Sequence, residues 1–326
     1  MRTEREAATP RPPGGYEVRA PRWEEAAAVA ELMGATELAI APEVVPETTP
    51  EDVATGWRGI DMERDHWVVI EPGGEPAAYG ALYERGEDYP LIDVYVHPDH
   101  CGRGLGSFLV ALAEHDMRLR MRATERAEVT VHNGVMATDP AARALLEAHG
   151  YAPARRFYRM AVALPTSLPN APLPSGIVAA PLAAGRERDV HRAIEEAFAQ
   201  EWSHSPESFE DWMGRKEREG WDPTLVFVAL DGDSIAGVAQ CSRRFGGGWV
   251  NALAVLPPWR RRGIGRALLV EAIREFERRG EPRVALGVDA RNPTGATRVY
   301  ERAGMTVEWE AMVFEKTLER GADGRP

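Results

Sequence analysis

Residues 257–269 read PPWRRRGIGRALL, a stretch in which four arginines surround two glycines. The apolar run WVNALAVLP comes before it, and apolar residues at helical spacing follow it. This order predicts a strand, a turn containing proline and a glycine loop that opens a helix. The backbone N–H groups of such a loop bind anions, helped by the positive end of the helix dipole. The stretch therefore predicts an anion site.

The chain as a whole is acidic, with 326 residues and a formal net charge of -12. This charge argues against a nucleic-acid partner, because nucleic-acid binders carry a basic face. No apolar run is long enough to span a bilayer, and the polar N-terminus is unlike a signal peptide. Cys101 and Cys241 stand apart without a CxxC motif, so we expect neither a disulfide nor a metal site. We expect a cytoplasmic protein that does not bind membranes.

A second stretch, HPDHCGRGLGSFL at 97–109, repeats the glycine loop, and Gly104 and Gly263 are 159 residues apart. Flanking segments match at similar distances: VRAP (18–21) with VAAP (178–181), and LLEAHGY (145–151) with VYERAGM (299–305). A period this long indicates two copies of one domain rather than a solenoid.

Each copy is predicted to mix strands and helices around one sheet, an α/β fold (α+β, mixed sheet) in two tandem domains. We expect each copy to close with its own last strand, RFYRMAVAL (156–164) or EAMVFEKTL (310–318). The predicted division is a tail at 1–14, a domain at 15–164, a proline-rich linker at 165–176, a domain at 177–319 and a tail at 320–326.

Several kinds of glycine loop compete for this motif. A phosphate-binding P-loop needs Gly-Lys-Ser/Thr, which neither copy has. A dinucleotide-binding loop needs GxGxxG directly at the strand end, whereas residues 256–262 intervene here. A lone GxG is commonly only a turn, and Arg260 to Arg262 alone would suggest a solvated face. The repetition of the whole context favours a third anion site.

Strand, proline and Arg-x-x-Gly-x-Gly at the start of a helix resemble the acyl-CoA loop of the GNAT (GCN5-related) N-acetyltransferases. Residues 260–265 match that loop fully, whereas Cys101 replaces the usual Arg or Gln in the first copy. The resemblance covers both copies, so the chain is similar to tandem GNAT proteins. Its two-domain layout is similar to that of the mycothiol synthases.

The resemblance implies an acetyl-CoA-dependent N-acetyltransferase that uses no metal. A neutral amine would attack the thioester directly, and a backbone N–H at a splayed strand end would hold the oxyanion. The acceptor would be a small-molecule or peptide amine, and the chain a monomer or homodimer. The alternative is a non-catalytic acyl-CoA-binding scaffold or sensor.

The resemblance also implies two sets of acetyl-CoA-binding residues. The set in the second copy is Leu253, Ala254, Val255, Arg260, Arg261, Arg262, Gly263, Ile264, Gly265, Arg266, Asn292 and Tyr300. The set in the first copy is Val94, Tyr95, Val96, Cys101, Gly102, Arg103, Gly104, Leu105, Gly106 and Ser107. The resemblance does not decide whether the first pocket still binds CoA.

The segment DARNPTGATRVYERAGM at 289–305 resembles a further GNAT element. There an Asn, here Asn292, touches the pantetheine arm of CoA, and a Tyr, here Tyr300, faces the thioester sulfur as general acid. The alternatives are a helix N-cap for Asn292 and a core aromatic for Tyr300. The same alignment puts Leu146 at the Tyr position of the first copy and Thr138 at the Asn position. Leucine donates no proton, so we expect no catalysis in the first copy.

The general base is not clear from the sequence. Glu201 and His204, in AFAQEWSHSPESFEDW at 197–212, are weak candidates, and a solvated helix end is the alternative. The tryptophans of this region would either wall an acceptor pocket or pack in the core: Trp202, Trp212 and Trp221.

Overall fold

A computed structural model of the chain describes residues 9–42, 46, 48–58, 60–84, 89–202, 204–292 and 294–320. Residue contacts divide the chain into two units. The first unit comprises Met1–Arg155 and Met312–Pro326, and the second comprises Arg156–Ala311.

Within its described residues, the first unit has five strands before its closing strand, and five α-helices. The strands are β1 (Glu17–Arg19), β2 (His66–Ile70), β3 (Pro76–Glu84), β4 (Pro90–Val96) and β5 (Glu128–Met136). The helices are α1 (Ala26–Ile40), α2 (Pro50–Trp57), α3 (Met62–Asp65), α4 (Leu105–Ala123) and α5 (Pro140–Ala148). The strand β6 (Ala152–Ala163) begins in this unit and continues into the second.

The sheet of the first unit has the order β1-β2-β3-β4-β5, followed by residues 312–319 of the last strand of the chain. Strands β1 to β4 pair antiparallel, and β4 pairs with β5 in parallel. One face of the sheet packs on α4, and the other packs on α1 and α2. Because successive residues of a strand point to opposite faces, β3 and β4 contribute side chains to both cores.

The second unit repeats this arrangement. Its strands are β7 (Ile177–Pro181), β8 (Val226–Asp231), β9 (Ser234–Arg244), β10 (Gly247–Val255), β11 (Arg283–Asp289) and β12 (Thr306–Glu319). Its helices are α6 (Glu187–Phe198), α7 (Phe209–Arg218), α8 (Ile264–Arg278) and α9 (Ala296–Glu301). Of β12, residues 306–311 belong here and the remainder to the first unit.

The sheet of the second unit has the order β6-β11-β10-β9-β8-β7, counting residues 156–163 of β6. Its pairs are antiparallel except β10 with β11, which is parallel. Helix α8 covers one face, and α6 and α7 cover the other. The predicted α/β fold with a mixed sheet, in two tandem copies, is confirmed.

The closing strands differ from the expectation. Residues 156–163 of β6 pair with β11 of the second unit, and Met160 is buried in its core. Phe314 of β12 is buried in the core of the first unit, and Thr130 and Thr317 share a hydrogen bond of 3.0 Å there. Each copy therefore receives its last strand from the other copy. The two strands have similar apolar patterns, so neither pattern specifies which sheet edge the strand joins.

The predicted linker, residues 165–176, lies in the second unit and forms neither helix nor strand. Its apolar side chains Leu168, Ala171 and Leu173 pack against the core beside α8. Its backbone is tied to the same helix, because Glu277 accepts a hydrogen bond from Thr166 N at 3.1 Å. The segment is therefore part of the second unit's packing.

Candidate active site

The glycine loop of the second unit joins the end of β10 to the start of α8. A single 3-10 turn at Pro257–Trp259 leads into residues 260–263, and α8 begins at Ile264. Gly263 has a φ of 87°, and a Cβ added there would meet nothing within 4 Å. The N-terminus of the helix is therefore open, with its first N–H groups unpaired within the helix. This geometry suits an anion.

Arg261 has a φ of 61°, a conformation that costs a non-glycine residue about 1 kcal/mol or more. The first copy has Gly102 at the corresponding position, with a φ of 75°. Strain of this kind is retained where a side chain is needed for function. The guanidinium groups of Arg261 and Arg262 are exposed and have no hydrogen bond or ion pair within the described ranges. Both are free to meet a phosphate group.

Arg260 and Arg266, two other predicted acetyl-CoA-binding residues, form hydrogen bonds to backbone carbonyls of the protein. Arg260 donates from Nε to the carbonyl of Val255 at 2.9 Å and from Nη2 to that of Ala197 at 3.2 Å. Arg266 donates from Nη2 to the carbonyl of Asn170 at 2.9 Å. These contacts hold the loop in place, so the two side chains position the loop rather than extend from it.

The sheet opens beside this loop. Strands β10 and β11 pair through Gly248 with Val284 and Trp249 with Ala285, and the described register ends there. The remaining residues of β10 therefore run without a β11 partner. They include the predicted Leu253, Ala254 and Val255, of which Ala254 is buried and the other two are partly exposed. A Cβ on Gly265 would touch Val255 at 3.4 Å, so the first turn of α8 lies directly on the strand end.

A β-bulge at Asn251 lies at the start of this opening. The pairing of β10 with β9 shifts by one residue between Val250 and Ala252. A bulge leaves the backbone groups of the extra residue outside the regular ladder, where they can serve a ligand. The Asn251 side chain donates from Nδ2 to Ser242 Oγ at 2.9 Å. The sequence does not reveal this bulge, because a single inserted residue leaves no periodic signal in so short a strand.

Glu201, Asn292 and Tyr300 come together, although Glu201 lies far from the other two in sequence. Asn292 donates from Nδ2 to Glu201 Oε1 at 3.1 Å. The charge of Glu201 also acts on the Tyr300 hydroxyl, whose pKa rises to about 12, chiefly through burial and further through that carboxylate. The phenol therefore stays protonated at neutral pH. A carboxylate, an amide and a protonated phenol share one small region.

Tyr300 lies in the core cluster that includes Leu253 and Val255 of β10 and Val288 of β11. Its side chain is 8% exposed, so the core-aromatic alternative holds as a description of its packing. Tyr300 also lies beside the diverging strands β10 and β11. Its catalytic role stays a prediction.

The N-cap alternative for Asn292 is wrong, because α9 begins at Ala296 after Gly295. Asn292 Oδ1 instead accepts from the backbone N–H of Thr294 at 2.9 Å. In that alternative Pro293 would be the first helical residue, and it lies outside the described residues. The side-chain amide of Asn292 is thereby oriented toward Glu201.

His204 is not directed at this group. Its Nε2 lies 3.3 Å from Glu195 of α6, and its backbone N–H donates to the Glu201 carbonyl at 3.1 Å. It stabilises the turn that carries Glu201. Trp202 packs beside Phe157 with ring centroids 6.1 Å apart, whereas Trp212 is buried in the core under α6 and α7. Trp221 packs against Trp212 at 5.4 Å.

The loop of the first unit has the same backbone form, with Gly104 at a φ of 82° before Leu105 opens α4. The single arginine of this loop forms hydrogen bonds within the protein: Arg103 donates to Tyr16 Oη at 3.1 Å and to the Asp99 carbonyl at 3.0 Å. Cys101 is an exposed residue, but partial desolvation of its sulfur and the nearby charge of Asp139 raise the pKa of the thiol. A Cβ on Gly106 would meet the Leu145 side chain at 2.9 Å, a contact that Gly265 lacks.

Strand β4 of the first unit also differs from β10. Its register with β3 runs from Ala78–Val96 to Glu84–Pro90 without a shift, so it has no bulge. The carbonyl of Val96 accepts a hydrogen bond from Thr36 Oγ1 at 3.1 Å. Leu146, at the position of Tyr300, is 2% exposed in the core, and Thr138 lies exposed in the loop before α5. Val94 and Tyr95 are partly exposed at the strand end, and Ser107 lies in the first turn of α4.

In the ranges that the structure covers, no group of three or more His, Cys, Asp or Glu side chains has a metal-binding arrangement. None of the helices in the described part of the chain combines the length and apolar character that a bilayer-spanning helix needs.

Comparison with known proteins places these observations in a family context. The model of the acetyltransferase (GNAT) family matches residues 32–151 and 188–305. The mycothiol acetyltransferase of Saccharopolyspora erythraea is 32% identical over 248 residues, which cover 73% of this chain and 81% of that protein. The mycothiol acetyltransferase of Acidothermus cellulolyticus is 28% identical over 323 residues, covering 87% and 95%.

Solved structures are similar over nearly the whole chain. A GCN5-related N-acetyltransferase from Sphaerobacter thermophilus has a TM-score of 0.85 and 36% identity, covering 96% of this chain and 99% of that one. A tandem GNAT protein from the clavulanic acid biosynthesis pathway has a TM-score of 0.69 and 20% identity, covering 95% and 100%. The second comparison supports the tandem fold alone.

Proposed function

This chain belongs to the acetyltransferase (GNAT) family, and we propose that its second unit transfers the acetyl group of acetyl-CoA directly to a primary amine of a small molecule. Family membership makes the chain an acyltransferase. The acceptor, the direct attack and the roles of individual residues are our proposal. The meeting of Glu201, Asn292 and Tyr300 beside the opening of β10 and β11 is the observation that carries it.

The donor is held by the glycine loop and the strand end. The open N-terminus of α8 at Gly263 faces the pyrophosphate of CoA, and the unpaired Arg261 and Arg262 meet its phosphate groups. The pantetheine arm follows the part of β10 that has no β11 partner, toward Asn292. This path brings the thioester to Tyr300.

The transfer needs no reagent other than acetyl-CoA and the amine. The amine nitrogen attacks the thioester carbon, and a C–N bond forms as the carbonyl oxygen takes the negative charge. A backbone N–H near the Asn251 bulge stabilises this oxyanion. The C–S bond then breaks, Tyr300 supplies a proton to the departing thiolate, and Glu201 accepts the proton of the amine. The products are the amide and free CoA thiol.

The structure supports a coupling between the two protons. While Glu201 is ionised, its charge contributes to the high pKa of Tyr300. When Glu201 takes the proton of the amine, that charge is lost and the phenol becomes a stronger acid. Tyr300 is thereby made ready to donate at the step in which the thiolate leaves. The proton on Glu201 then returns to the Tyr300 phenolate, directly or through solvent.

Two observations limit the proposal to one unit and to small acceptors. The first unit has Leu146 at the Tyr300 position and no bulge in β4, so it does not catalyse transfer. The relatives at 28% to 32% identity are named for mycothiol, which favours a small-molecule acceptor over a peptide. The identity of the acceptor is not carried over from them.

The test is the release of free CoA thiol from acetyl-CoA with a panel of primary amines: amino sugars, aminoglycosides, aminothiols and peptide N-termini. We expect amine-dependent release with a small-molecule member, and its loss in Tyr300→Phe. Release that does not depend on the amine would contradict direct transfer. Amine-dependent release that persists in Tyr300→Phe at the wild-type rate would place the chemistry elsewhere.

A further inference from the structure

The N-terminal segment at residues 9–16 lies against the glycine loop of the first unit. The segment reads TPRPPGGY and leads directly into β1. A Cβ built on Gly104 would meet the ring of Pro13 at 3.7 Å, whereas a Cβ built on Gly263 would meet nothing within 4 Å. Pro13 therefore occupies the space before α4 that is open before α8.

The same segment binds the arginine of that loop. Tyr16 Oη accepts a hydrogen bond from Arg103 Nη1 at 3.1 Å and shares another, of 2.8 Å, with His100 Nδ1. The Tyr16 and His100 rings meet edge to face, with centroids 5.7 Å apart. A guanidinium pairs more strongly with a phosphate, which carries negative charge, than with a neutral hydroxyl. The Tyr16 hydroxyl is thus a weak partner in the place of a stronger one.

The duplication provides an internal comparison for these contacts. The match of VRAP with VAAP, 160 residues later, puts Gly176 at the position of Tyr16. The glycine loops match at 159 residues, which puts Arg262 at the position of Arg103. Glycine has no side chain to bind an arginine, and Arg262 has no hydrogen bond in the described ranges. The contact between segment and arginine is therefore a property of the first copy and is not required by the fold.

The backbone of the segment suits a closure that can be reversed. Three of its eight residues are prolines, whose fixed φ lowers the conformational entropy lost when the segment is ordered. Gly15 follows with a φ of 89°, and Tyr16 N donates to the Pro13 carbonyl at 3.2 Å across this turn. Strand pairing begins only at Glu17, opposite Ile70. The segment can therefore leave the loop without breaking the sheet.

We propose that the N-terminal segment is a lid that closes the loop of the first unit against a nucleoside diphosphate. Pro13 takes the place of the pyrophosphate at the N-terminus of α4, and Tyr16 takes the place of a phosphate on Arg103. Displacing the segment exposes a second nucleotide site of the kind found in CoA donors. The ligand is inferred from the donor site proposed for the second unit, on which this assignment rests.

The test follows the backbone amides of Gly104 and Gly263 by ¹⁵N–¹H NMR of the full chain labelled with ¹⁵N-glycine. Each signal is assigned by its loss in the corresponding Gly→Ala variant. The probe is adenosine 3′-phosphate 5′-diphosphate, the nucleotide half of CoA. It has no pantetheine arm, so Leu145, which lies against the first turn of α4, does not affect its binding.

In the wild type we expect a saturable shift of the Gly263 signal and no shift of the Gly104 signal. In Pro13→Gly with Tyr16→Phe, which keeps an aromatic ring against the core, we expect both signals to shift. A Gly104 signal that shifts equally in the two proteins, or in neither, overturns the lid. A Gly263 signal that never shifts contradicts the proposed donor site instead, and the Gly104 comparison still decides the lid.

Two further variants locate the contact. Adding Arg103→Gln to the double variant should weaken binding at Gly104 at least tenfold, because the released guanidinium is the phosphate ligand. Arg11→Gln, which alters an exposed side chain of the same segment, should leave Gly104 unresponsive in the otherwise wild-type chain. Unchanged affinity after Arg103→Gln would contradict the phosphate assignment. A Gly104 response in Arg11→Gln would show that closure depends on the charge of the segment and not on Pro13 and Tyr16.

Discussion

Asn292 donates a side-chain hydrogen bond to Glu201 over 3.1 Å, although 91 residues separate the two in sequence. Glu201 lies in the loop after α6, and Asn292 lies in the loop before α9. The bond holds a carboxylate from the helical face of the second unit beside Tyr300, whose pKa that carboxylate helps to raise. A neutral amide thereby orients the proposed base, whose charge acts on the proposed acid.

Replacing Tyr300 by Phe tests the proposed acid. The ring and its packing are kept and only the hydroxyl is lost, so the affinity for acetyl-CoA and the Tm should change little. The rate should fall by roughly 10²-fold or more, the usual effect of losing a positioned acid. Steady-state kinetics and calorimetry measure both quantities. Tyr158→Phe, at a partly buried tyrosine packed against the same core, is the matched control. A variant that keeps its rate but loses stability would make Tyr300 a core residue only.

Replacing Glu201 by Gln tests the coupling between base and acid. Because the Glu201 charge contributes to the pKa of Tyr300 of about 12, its removal should lower that pKa. Tyrosine ¹³Cζ NMR, with Tyr300 assigned from Tyr300→Phe, measures the shift during an alkaline titration. The turnover rate should fall in parallel by roughly 10-fold or more, because the amine loses its proton acceptor. Glu196→Gln, at an exposed carboxylate of α6, should change neither quantity. An unaltered Tyr300 titration would disprove the coupling.

Stability at high pH should depend on Tyr300. In the folded chain its phenol keeps the proton up to about pH 12, whereas in the unfolded chain it loses the proton near pH 10. The contribution of this pKa difference to the free energy of unfolding is therefore complete below pH 10. It is lost as the pH rises to about 12, at about 1.4 kcal/mol per pH unit. Urea unfolding of wild type and Tyr300→Phe at pH 9, 10 and 11 isolates this part from that of other tyrosines. A difference between the two proteins that stays constant from pH 9 to 11 would contradict the burial of the hydroxyl.

Replacing the two glycines that flank α8, Gly263 and Gly280, distinguishes the effect of backbone strain from the effect on acetyl-CoA binding. Gly263 and Gly280 both have positive φ, 87° and 78°, and a Cβ at either would meet nothing within 4 Å. Replacement by Ala should therefore cost each about 1 kcal/mol of stability. Only Gly263→Ala should weaken the binding of acetyl-CoA, because the added methyl group occupies the place of the pyrophosphate. We expect a loss of affinity of at least tenfold by calorimetry. Equal affinities in the two variants would remove the loop from the donor site.

Substitution of Arg260 should affect the stability of the fold, whereas substitution of Arg262 should affect the binding of acetyl-CoA. Arg260→Gln removes bonds to the carbonyls of Val255 and Ala197, so it should destabilise the fold by about 1–3 kcal/mol. Arg262→Gln removes an exposed charge, so it should leave the Tm unchanged. It should weaken the binding of acetyl-CoA and reduce the salt dependence of that binding. Thermal unfolding and calorimetry at two salt concentrations distinguish them. If Arg262→Gln binds acetyl-CoA with wild-type affinity and salt dependence, the phosphate assignment is wrong.

Much of the site was accessible from sequence because its geometry is local. The glycine loop depends on backbone conformations that Gly102, Gly104 and Gly263 adopt without strain, and the positive φ values occur at these positions. The spacing of Tyr300 from the loop before it likewise follows from one short helix. The duplication was visible because both copies keep these local signals.

Other features of the site depend on contacts between distant segments. Arg260 has the residue type of a phosphate ligand, yet the nearby carbonyls of Val255 and Ala197 accept its protons. The bulge at Asn251 exists only relative to the register of β9. Glu201 was one of two equal candidates until the fold brought it to Asn292 and directed His204 to Glu195. Sequence spacing contains no information on such meetings.

The sequence by itself determined the repeated α/β fold, the two glycine loops and the unequal chemistry of Leu146 and Tyr300. The tertiary structure alone decided which sheet receives each closing strand: residues 156–163 pair with β11, and residues 312–319 complete the first unit. The physical reason is the range of the interactions. Turn geometry and helical periodicity act over a few residues, where the local sequence suffices. A strand edge accepts any strand of suitable pattern, so its choice depends on the free energy of the whole fold.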